Sequence, residues 1–423
     1  MIKKHQKILN LFWVIFIFLI PLPLLYLINL RFPNFSKWTF AINVGIIAYT
    51  WMLVALFFAS RPRWIEKNIG LPDMYSIHGA IAIMSFVGVI LHSQLIESTA
   101  FTKVVGLFAL YLFTFLVIFS AIFFSGLLTG KIIPLLKLKK YVEKRIKHNI
   151  LLWIHRVNIV VVIAIYIHVC SIEYIRNYKE FFLLISIYTL LPMISYIVFF
   201  IRRILEKENA VVRHVEMIDK NIVSLKLSLD DKTKKNIKSG DFVFLSFPKY
   251  PELKEPHPFS IVNNPTNGEI HLIVDGVGDF TSAIQNVKVN DNAIVSEGYG
   301  ILNSISENIK PDEKVVFIAG GVGIAPLIGL VDILMENELV FLFTVQKHKK
   351  LLFEDKFINW SSRGNFKYHM QKGRFSNQQC EEIIPIGSDC VYIIAGPYKM
   401  NSHYKTWLLK KGINKKQIYI EGF

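Results

Sequence analysis

The chain of 423 residues is predicted to fold as an α-helical membrane bundle of six spans followed by a soluble half, made of an antiparallel β-barrel domain and an α/β domain with a parallel sheet. Three observations lead there. Apolar blocks fill the first half, whereas the second half has the composition of an ordinary soluble sequence. After about Asn209 the apolar residues come in short alternating runs separated by turn-rich segments, the pattern of antiparallel strands. From Lys314 apolar strands alternate with helical stretches, the pattern of a parallel sheet. The expected domains are residues 1–208, 209–310 and 311–423.

Composition supports the division. The content is 52% hydrophobic and only 19% charged, which leaves room for a membrane part. A formal charge of +16 could suggest nucleic acid, but many of the basic residues sit in short loops between apolar blocks, where lysine and arginine set membrane orientation. No nucleic-acid partner is expected. The three cysteines, Cys170, Cys380 and Cys390, lack zinc or iron–sulfur spacing.

Six spans can be drawn, at about residues 8–30, 40–59, 76–96, 104–130, 151–171 and 181–201, each near the roughly 20 residues that a bilayer requires. Lys3, Lys4 and Lys7 before the first span resemble a signal peptide, but no small-residue cleavage site follows, and the segment is read as a retained span. Pro21 and Pro23 should kink it. The N-terminus, the loop with Arg61, Arg63 and Lys67, the loop from Lys131 to Lys147 and the exit at Arg202 and Arg203 are all basic, whereas the alternate loops are poor in positive charge. Both termini are therefore expected in the cytoplasm, with spans three and five running parallel.

Those two spans hold four histidines, His78 and His92 in one, His155 and His168 in the other. Ionisable side chains at membrane depth are costly and mark functional sites. Steps of 14 and 13 residues, at about 1.5 Å per residue, separate the members of each span by about 21 and 20 Å. His78 should face His155 near the inner surface, and His92 should face His168 near the outer. Haem suits such pairs because its iron keeps two axial positions on opposite sides of a flat ring. The 13-residue step is awkward, since at about 100° per residue it turns His168 about 140° away from His155. A local 3₁₀ tightening would ease it. Phe86 lies between the two depths, and Arg61, Arg63, Lys139 and Arg145 could pair with the propionates of the inner haem.

In the second half, runs at Val223 to Leu229, Asp241 to Phe247 and Ile270 to Val274 are expected barrel strands. Val315 to Ala319, Leu339 to Val345 and Val391 to Ala395 are expected in the parallel sheet. Gly320, Gly321 and Gly323 follow the first of these and precede a helix, where glycine lets the backbone approach a pyrophosphate.

An ordered set of motifs now becomes specific. His257-Pro258-Phe259-Ser260, Gly278-Asp279-Phe280-Thr281, Glu297-Gly298-Tyr299-Gly300, the glycine turn at 320, Ala395-Gly396-Pro397 and the terminal Phe423 resemble, in the same order, the landmarks of the NADPH oxidase and ferric reductase transmembrane family. The histidine spacings resemble that family too, the 13-residue step included. The compact layout is similar to a bacterial member. The resemblance implies a ferredoxin-NADP reductase-like second half. It implies that Phe259 packs on FAD, that Ser260 bonds the flavin ring near its reactive nitrogen, and that His257 and Pro258 shape that strand end. Gly278 and Thr281 would sit at the FAD pyrophosphate, while Gly320, Gly321, Gly323, Pro326, Gly396 and Pro397 would hold NADPH or NADH. Phe423 would stack on the flavin face, and with Ser260 it would form the catalytic pair.

Two departures stand out. Ala395 occupies a position where the family often has cysteine, which puts the rate of hydride transfer in question. Gln346 stands where relatives preferring NADPH often have arginine, with Lys347, Lys349, Lys350 and Arg374 as possible substitutes.

The expected function is a transmembrane oxidoreductase carrying electrons from cytoplasmic NAD(P)H through FAD and two b-type haems to an outer acceptor. Oxygen, giving superoxide, leads as the acceptor, and a ferric chelate is the alternative. A rival from another class is a proton channel or transporter with a nucleotide-sensing domain. Membrane lipid is an expected partner. No calcium loop or proline-rich docking tail occurs, so no obligatory protein partner is expected.

Overall fold

A computed structural model describes residues 15–34, 36–62, 64–65, 70–98, 100–124, 132–146 and 148–422. The chain divides into two compact units, one ending at Leu205 and the next beginning at Glu206.

The first unit is helical: α1 Leu22–Arg31, α2 Lys37–Ala59, α3 Leu71–Leu95, α4 Ala100–Phe123, α5 Ile133–Arg145, α6 His148–Arg156, α7 Asn158–Cys170, α8 Glu173–Arg176 and α9 Lys179–Ile204. Among the described residues, five stretches are long and apolar enough to cross a membrane: Lys37–Ala59, Asp73–Leu95, Phe101–Phe123, Asn149–Cys170 and Lys179–Ile204. The expected first span is described only from Ile15, with an apolar helical stretch Ile15–Arg31. The bundle turns apolar side chains outward, Val104, Tyr111 and Phe115 on α4 and Leu183, Leu191 and Ile194 on α9 among them. Such a surface suits lipid and is costly in water.

Local chemistry sets the helix ends and contacts. Ser36 and Thr39 form a capping box at the start of α2, with Thr39 N donating to Ser36 Oγ at 3.1 Å. Gly70, at φ +85°, turns the chain into α3. Small residues let α2 and α3 lie close: a Cβ on Gly88 would come within 2.9 Å of Ala48 Cβ, and Ser85 Oγ donates to the Ala48 carbonyl at 2.7 Å. Between α6 and α7 the helix is interrupted at Val157. Val157 N bonds to Ile154 O at 3.1 Å and Val160 N to Val157 O at 2.8 Å, both three residues back, and Asn158 Nδ2 donates to the His155 carbonyl at 2.7 Å. This is a 3₁₀ tightening between the two histidines, and it overwinds the chain by about 20° per residue.

The second unit has two layers sharing a core. The first contains β1 Ala210–Asp219, β2 Ile222–Leu229, β3 Phe242–Ser246, β4 His257–Ser260, β5 Glu269–Asp275 and β6 Asn292–Val295, in the order β4-β3-β6-β1-β2-β5 with antiparallel neighbours. Beyond β4, Ile261 bridges Leu272 and Val262 N bonds to His271 O at 2.8 Å, which brings the two edges together as a barrel. Alternate residues such as Val223, Leu225 and Leu227 fill its interior.

The second layer is a parallel sheet of β7 Lys314–Gly320, β8 Leu339–Val345, β9 Phe366–Lys372, β10 Cys390–Ala395 and β11 Ile418–Glu421, ordered β11-β10-β7-β8-β9. β10 is buried throughout, as a strand covered on both faces must be. Ile222, Val262 and Ile273 of the barrel share one core with Leu302, Leu327 and Ile328 of the α/β layer. The layers meet closely enough that a Cβ on Gly240 would lie 2.8 Å from Leu330 Cδ2.

Candidate functional site

The four membrane histidines form two facing pairs. The rings of His78 and His155 have centroids 6.1 Å apart with planes at 64°, and those of His92 and His168 are 6.5 Å apart at 88°. Two imidazoles binding one metal from opposite sides, with bonds of about 2.0 Å and about 1.2 Å from nitrogen to ring centroid, would place their centroids about 6.4 Å apart.

The neighbouring helices fix each ring. His78 Nδ1 lies 2.9 Å from Ala55 O and His92 Nδ1 2.8 Å from Ala41 O, both on α2. His168 Nδ1 lies 2.9 Å from Thr102 O on α4. A carbonyl only accepts, so these three Nδ1 atoms carry the proton and each Nε2 keeps its lone pair. His155 reaches the same state through a hydroxyl: Ser120 Oγ gives its proton to Leu116 O at 2.7 Å and so accepts from His155 Nδ1 at 2.8 Å. Glycines make the space. A Cβ on Gly45 would be 2.7 Å from His92 Nδ1, and one on Gly106 would be 2.9 Å from His168 Nδ1. Among the described residues no three His, Cys, Asp or Glu side chains converge. Phe86 and Phe113 pack edge to face at 5.8 Å between the two depths. Lys139 Nζ donates to the Phe123 carbonyl at 2.9 Å and Arg145 covers the Tyr141 ring at 4.3 Å. Arg61 covers the Tyr75 ring at 5.6 Å, and Arg63 lies outside the described residues.

In the barrel, β4 carries His257, Pro258, Phe259 and Ser260, and pairs with β3 so that Ser260 lies opposite Phe242. Phe280 joins this strand to the next motif. It stacks on His257 at 4.1 Å and lies 5.8 Å from Phe259. Thr281 organises its own turn: its Oγ1 accepts from Gly278 N at 2.8 Å and Val277 N at 3.0 Å. A side chain on Gly298 would strike the Asp241 carboxylate.

The glycine turn stands at the switch point of the parallel sheet. The chain leaves β7 towards β8 and β9, then crosses back to β10 and β11, so the carboxyl ends of β7 and β10 open a crevice between them, the position where such sheets bind ligands. The two rims touch. A Cβ on Gly323 would lie 2.7 Å from both Ala395 O and Gly396 Cα, and one on Gly320 would collide with Met400. Gly321, at φ +57°, faces open space, with nothing within 4 Å of a Cβ. Pro326 is buried in the following helix, Ala325–Val331, and Pro397 caps the helix Tyr398–Lys410.

Three features here carry no sequence motif. Asn401 Nδ2 donates to Gly396 O at 2.7 Å and to Glu421 O at 3.1 Å, tying the crevice rim to the last strand, while its buried Oδ1 has no partner. Burial, reinforced by the Asp241 carboxylate, pushes the Glu421 carboxyl up to about 8. Lys349, one of the basic candidates after β8, is committed to Asp275 of the barrel at 2.8 and 2.9 Å. Lys347 lies along Gly373 beside the exposed Arg374. Phe423 lies outside the described residues.

A family model described as an FAD-binding domain matches residues 207–324. The sulfhydrogenase 2 subunit gamma of Pyrococcus furiosus is 25% identical over 228 residues, 47% of this chain and 76% of that one. The flavohemoprotein of Candida norvegensis is 23% identical over 169 residues, 38% of this chain and 42% of that one. The flavohaem-like FAD/NAD-binding domain of nitric oxide dioxygenase from Vibrio cholerae overlays 52% of this chain and 99% of its own at a TM-score of 0.43 and 18% identity. Residues 207–324 thus match an FAD-binding domain, and a five-stranded parallel sheet follows them in the chain.

Proposed function

We propose that this chain is a transmembrane oxidoreductase of the NADPH oxidase and ferric reductase type. It takes electrons from NAD(P)H on the cytoplasmic side and delivers them to an acceptor at the outer face. The observation that carries this reading is the double histidine pair, with centroid separations of 6.1 and 6.5 Å and all four Nδ1 atoms engaged. Hydrogen-bonding histidines in a proton relay need no such uniform orientation, and this speaks against a channel or transporter.

FAD would supply the conversion of a two-electron donor into single-electron transfer, and two haems b held by His78 with His155 and by His92 with His168 would carry the single electrons. The chain's own residues do the positioning. Helices α2 and α4 hold the imidazoles with Nε2 inward. Phe259, Ser260, Gly278 and Thr281 bind the flavin, and Gly320, Gly321, Gly323, Pro326, Gly396 and Pro397 line the nucleotide crevice. Phe423 covers the flavin face and forms the catalytic pair with Ser260. The basic loops place both termini in the cytoplasm, and the chain works in the cell membrane without an obligatory protein partner. Oxygen is the acceptor, and superoxide the product.

The test is NADPH-driven reduction of cytochrome c by the purified, FAD-supplied protein, with and without superoxide dismutase. Inhibition by the dismutase is expected. Uninhibited reduction would make a ferric-chelate reductase the better name, and a colourless preparation lacking a Soret band would overturn the haem assignment.

A further inference from the structure

On the second unit, a cavity of about 370 Å³ opens between the segment that precedes β3, the turn after β4 and the α/β layer. That volume suits a small metabolite. Lys234, Lys235 and Lys238 line it, with Ser239 and Asn303 in its wall. One of these polar groups is anomalous. The Ser239 hydroxyl is buried, the residue being 2% exposed, and has no hydrogen-bond partner among the described residues. Asn303, 8% exposed, adds a carboxamide to the same wall. A buried polar group left unpaired costs stability, and one in the wall of a cavity points to a ligand that satisfies it.

The charge selects the ligand. Lys234 pairs with Asp231 at 2.5 Å and Lys238 with Glu307 at 2.9 Å, which offsets both charges, whereas Lys235 forms no ion pair among the described residues. The cavity therefore keeps one uncompensated ammonium beside a hydroxyl and a carboxamide, a donor set for phosphate oxygens. Ile237, Pro265 and Ile333 add an apolar wall.

It is separate from the crevice. Ile333 lies beyond the carboxyl end of the helix Ala325–Val331, about 14 Å of helix from the glycine turn. Asn264 lies four residues, about 13 Å of extended chain, beyond Ser260. We propose that this cavity is a second anion site that binds a small phosphate-bearing molecule and, by touching both layers, braces the barrel against the α/β sheet.

The probe is inorganic pyrophosphate, titrated calorimetrically into the full-length, FAD-loaded protein with its nucleotide crevice saturated by NADP⁺. One site per chain is expected, with affinity weakened at least tenfold in Lys235→Glu and in Asn303→Asp. Pyrophosphate should also raise the thermal midpoint of the wild type and not of these variants. Lys235 is exposed, so Lys235→Gln keeps the test valid if the Asn303 variant folds poorly. Absence of binding, or equal affinity in wild type and variants, would overturn the proposal. Equal affinity for citrate would overturn the assignment to phosphate.

Discussion

The helical unit and the FAD-binding unit build their sites in opposite ways. In the bundle the working groups are side chains, and glycines act from neighbouring helices by leaving room for them: Gly45 for His92 and Gly106 for His168. In the second unit the working surface is largely backbone, and Gly320, Gly321 and Gly323 act by having no side chain at all. A side-chain site tolerates change wherever the ring can still be held. At Gly323 a backbone site tolerates almost none, because the rim a side chain would strike there, Ala395 and Gly396, is itself main chain.

The largest effect should come from breaking one histidine pair. His168→Leu is expected to remove one haem of the two and abolish transfer to an outer acceptor, while NADPH-driven reduction of a soluble dye at the flavin persists. Haem content per flavin and the two activities check this. Gly45→Val should give a milder version, a loss of about 10–100-fold in outer transfer, because it displaces the His92 ring without deleting it. Equal rates in wild type and Gly45→Val would break the contrast between the two units.

The glycines of the crevice sharpen it next. Gly323→Ala would drive a methyl to 2.7 Å from the Ala395 carbonyl, so an overpacking cost of about 1–3 kcal/mol and at least a tenfold loss in kcat/KM for NADPH are expected. Gly321→Ala meets no protein atom, and its cost is the strain of φ +57°, of order 1 kcal/mol. Thermal melts should therefore rank Gly323→Ala well below Gly321→Ala. Nucleotide titrations should nevertheless show weakened binding in both, since Gly321 faces the space a pyrophosphate would fill.

Much of this was legible in the sequence because the constraints are local. Alternating runs marked β2, β3 and β5, and continuous apolar runs marked β7, β8 and β10, within one or two residues. Matching depth, together with the parallel run of spans three and five read from the basic loops, paired His78 with His155 and His92 with His168. Strands β1 and β9 went unread, since their partly exposed faces mix polar and apolar residues without clean alternation. The break at Val157 has no proline or glycine to announce it, and its signature is the bond from Asn158 Nδ2 to the His155 carbonyl. Gly45, Gly106 and Ser120 were illegible too. Their roles depend on which helices touch, and that is a tertiary fact.

Nucleotide preference offers a smaller, sharper test. Four basic residues near the ends of β8 and β9 compete for the 2′-phosphate in the sequence, yet Lys349 is held by Asp275. Lys347, Lys350 and Arg374 remain exposed. Lys347→Gln with Arg374→Gln should lower kcat/KM for NADPH by about tenfold and leave NADH within about twofold, as expected for losing charge contacts to one phosphate. Lys349→Gln should lower the thermal midpoint without changing the ratio of NADPH to NADH, because its partner is the barrel.

The smallest effect on turnover concerns Glu421. Its carboxyl is raised from 4.5 to about 8, first by burial and then by Asp241. Between those values the unfolded chain has released a proton that the fold keeps, so the unfolded state binds fewer protons and stability falls as pH rises. The contribution is flat below pH 4.5, declines by at most about 1.4 kcal/mol per pH unit up to about 8, and is flat above. Glu421→Gln removes the titration and keeps the shape. Its thermal midpoint should match the wild type near pH 5 and exceed it near pH 8. A wild-type midpoint that rises through this window, or a variant that keeps the decline, would mean that Glu421 is ionised in the fold. In that case the Asn401 bond to the Glu421 carbonyl, rather than a neutral carboxyl, would hold the last strand against the crevice rim.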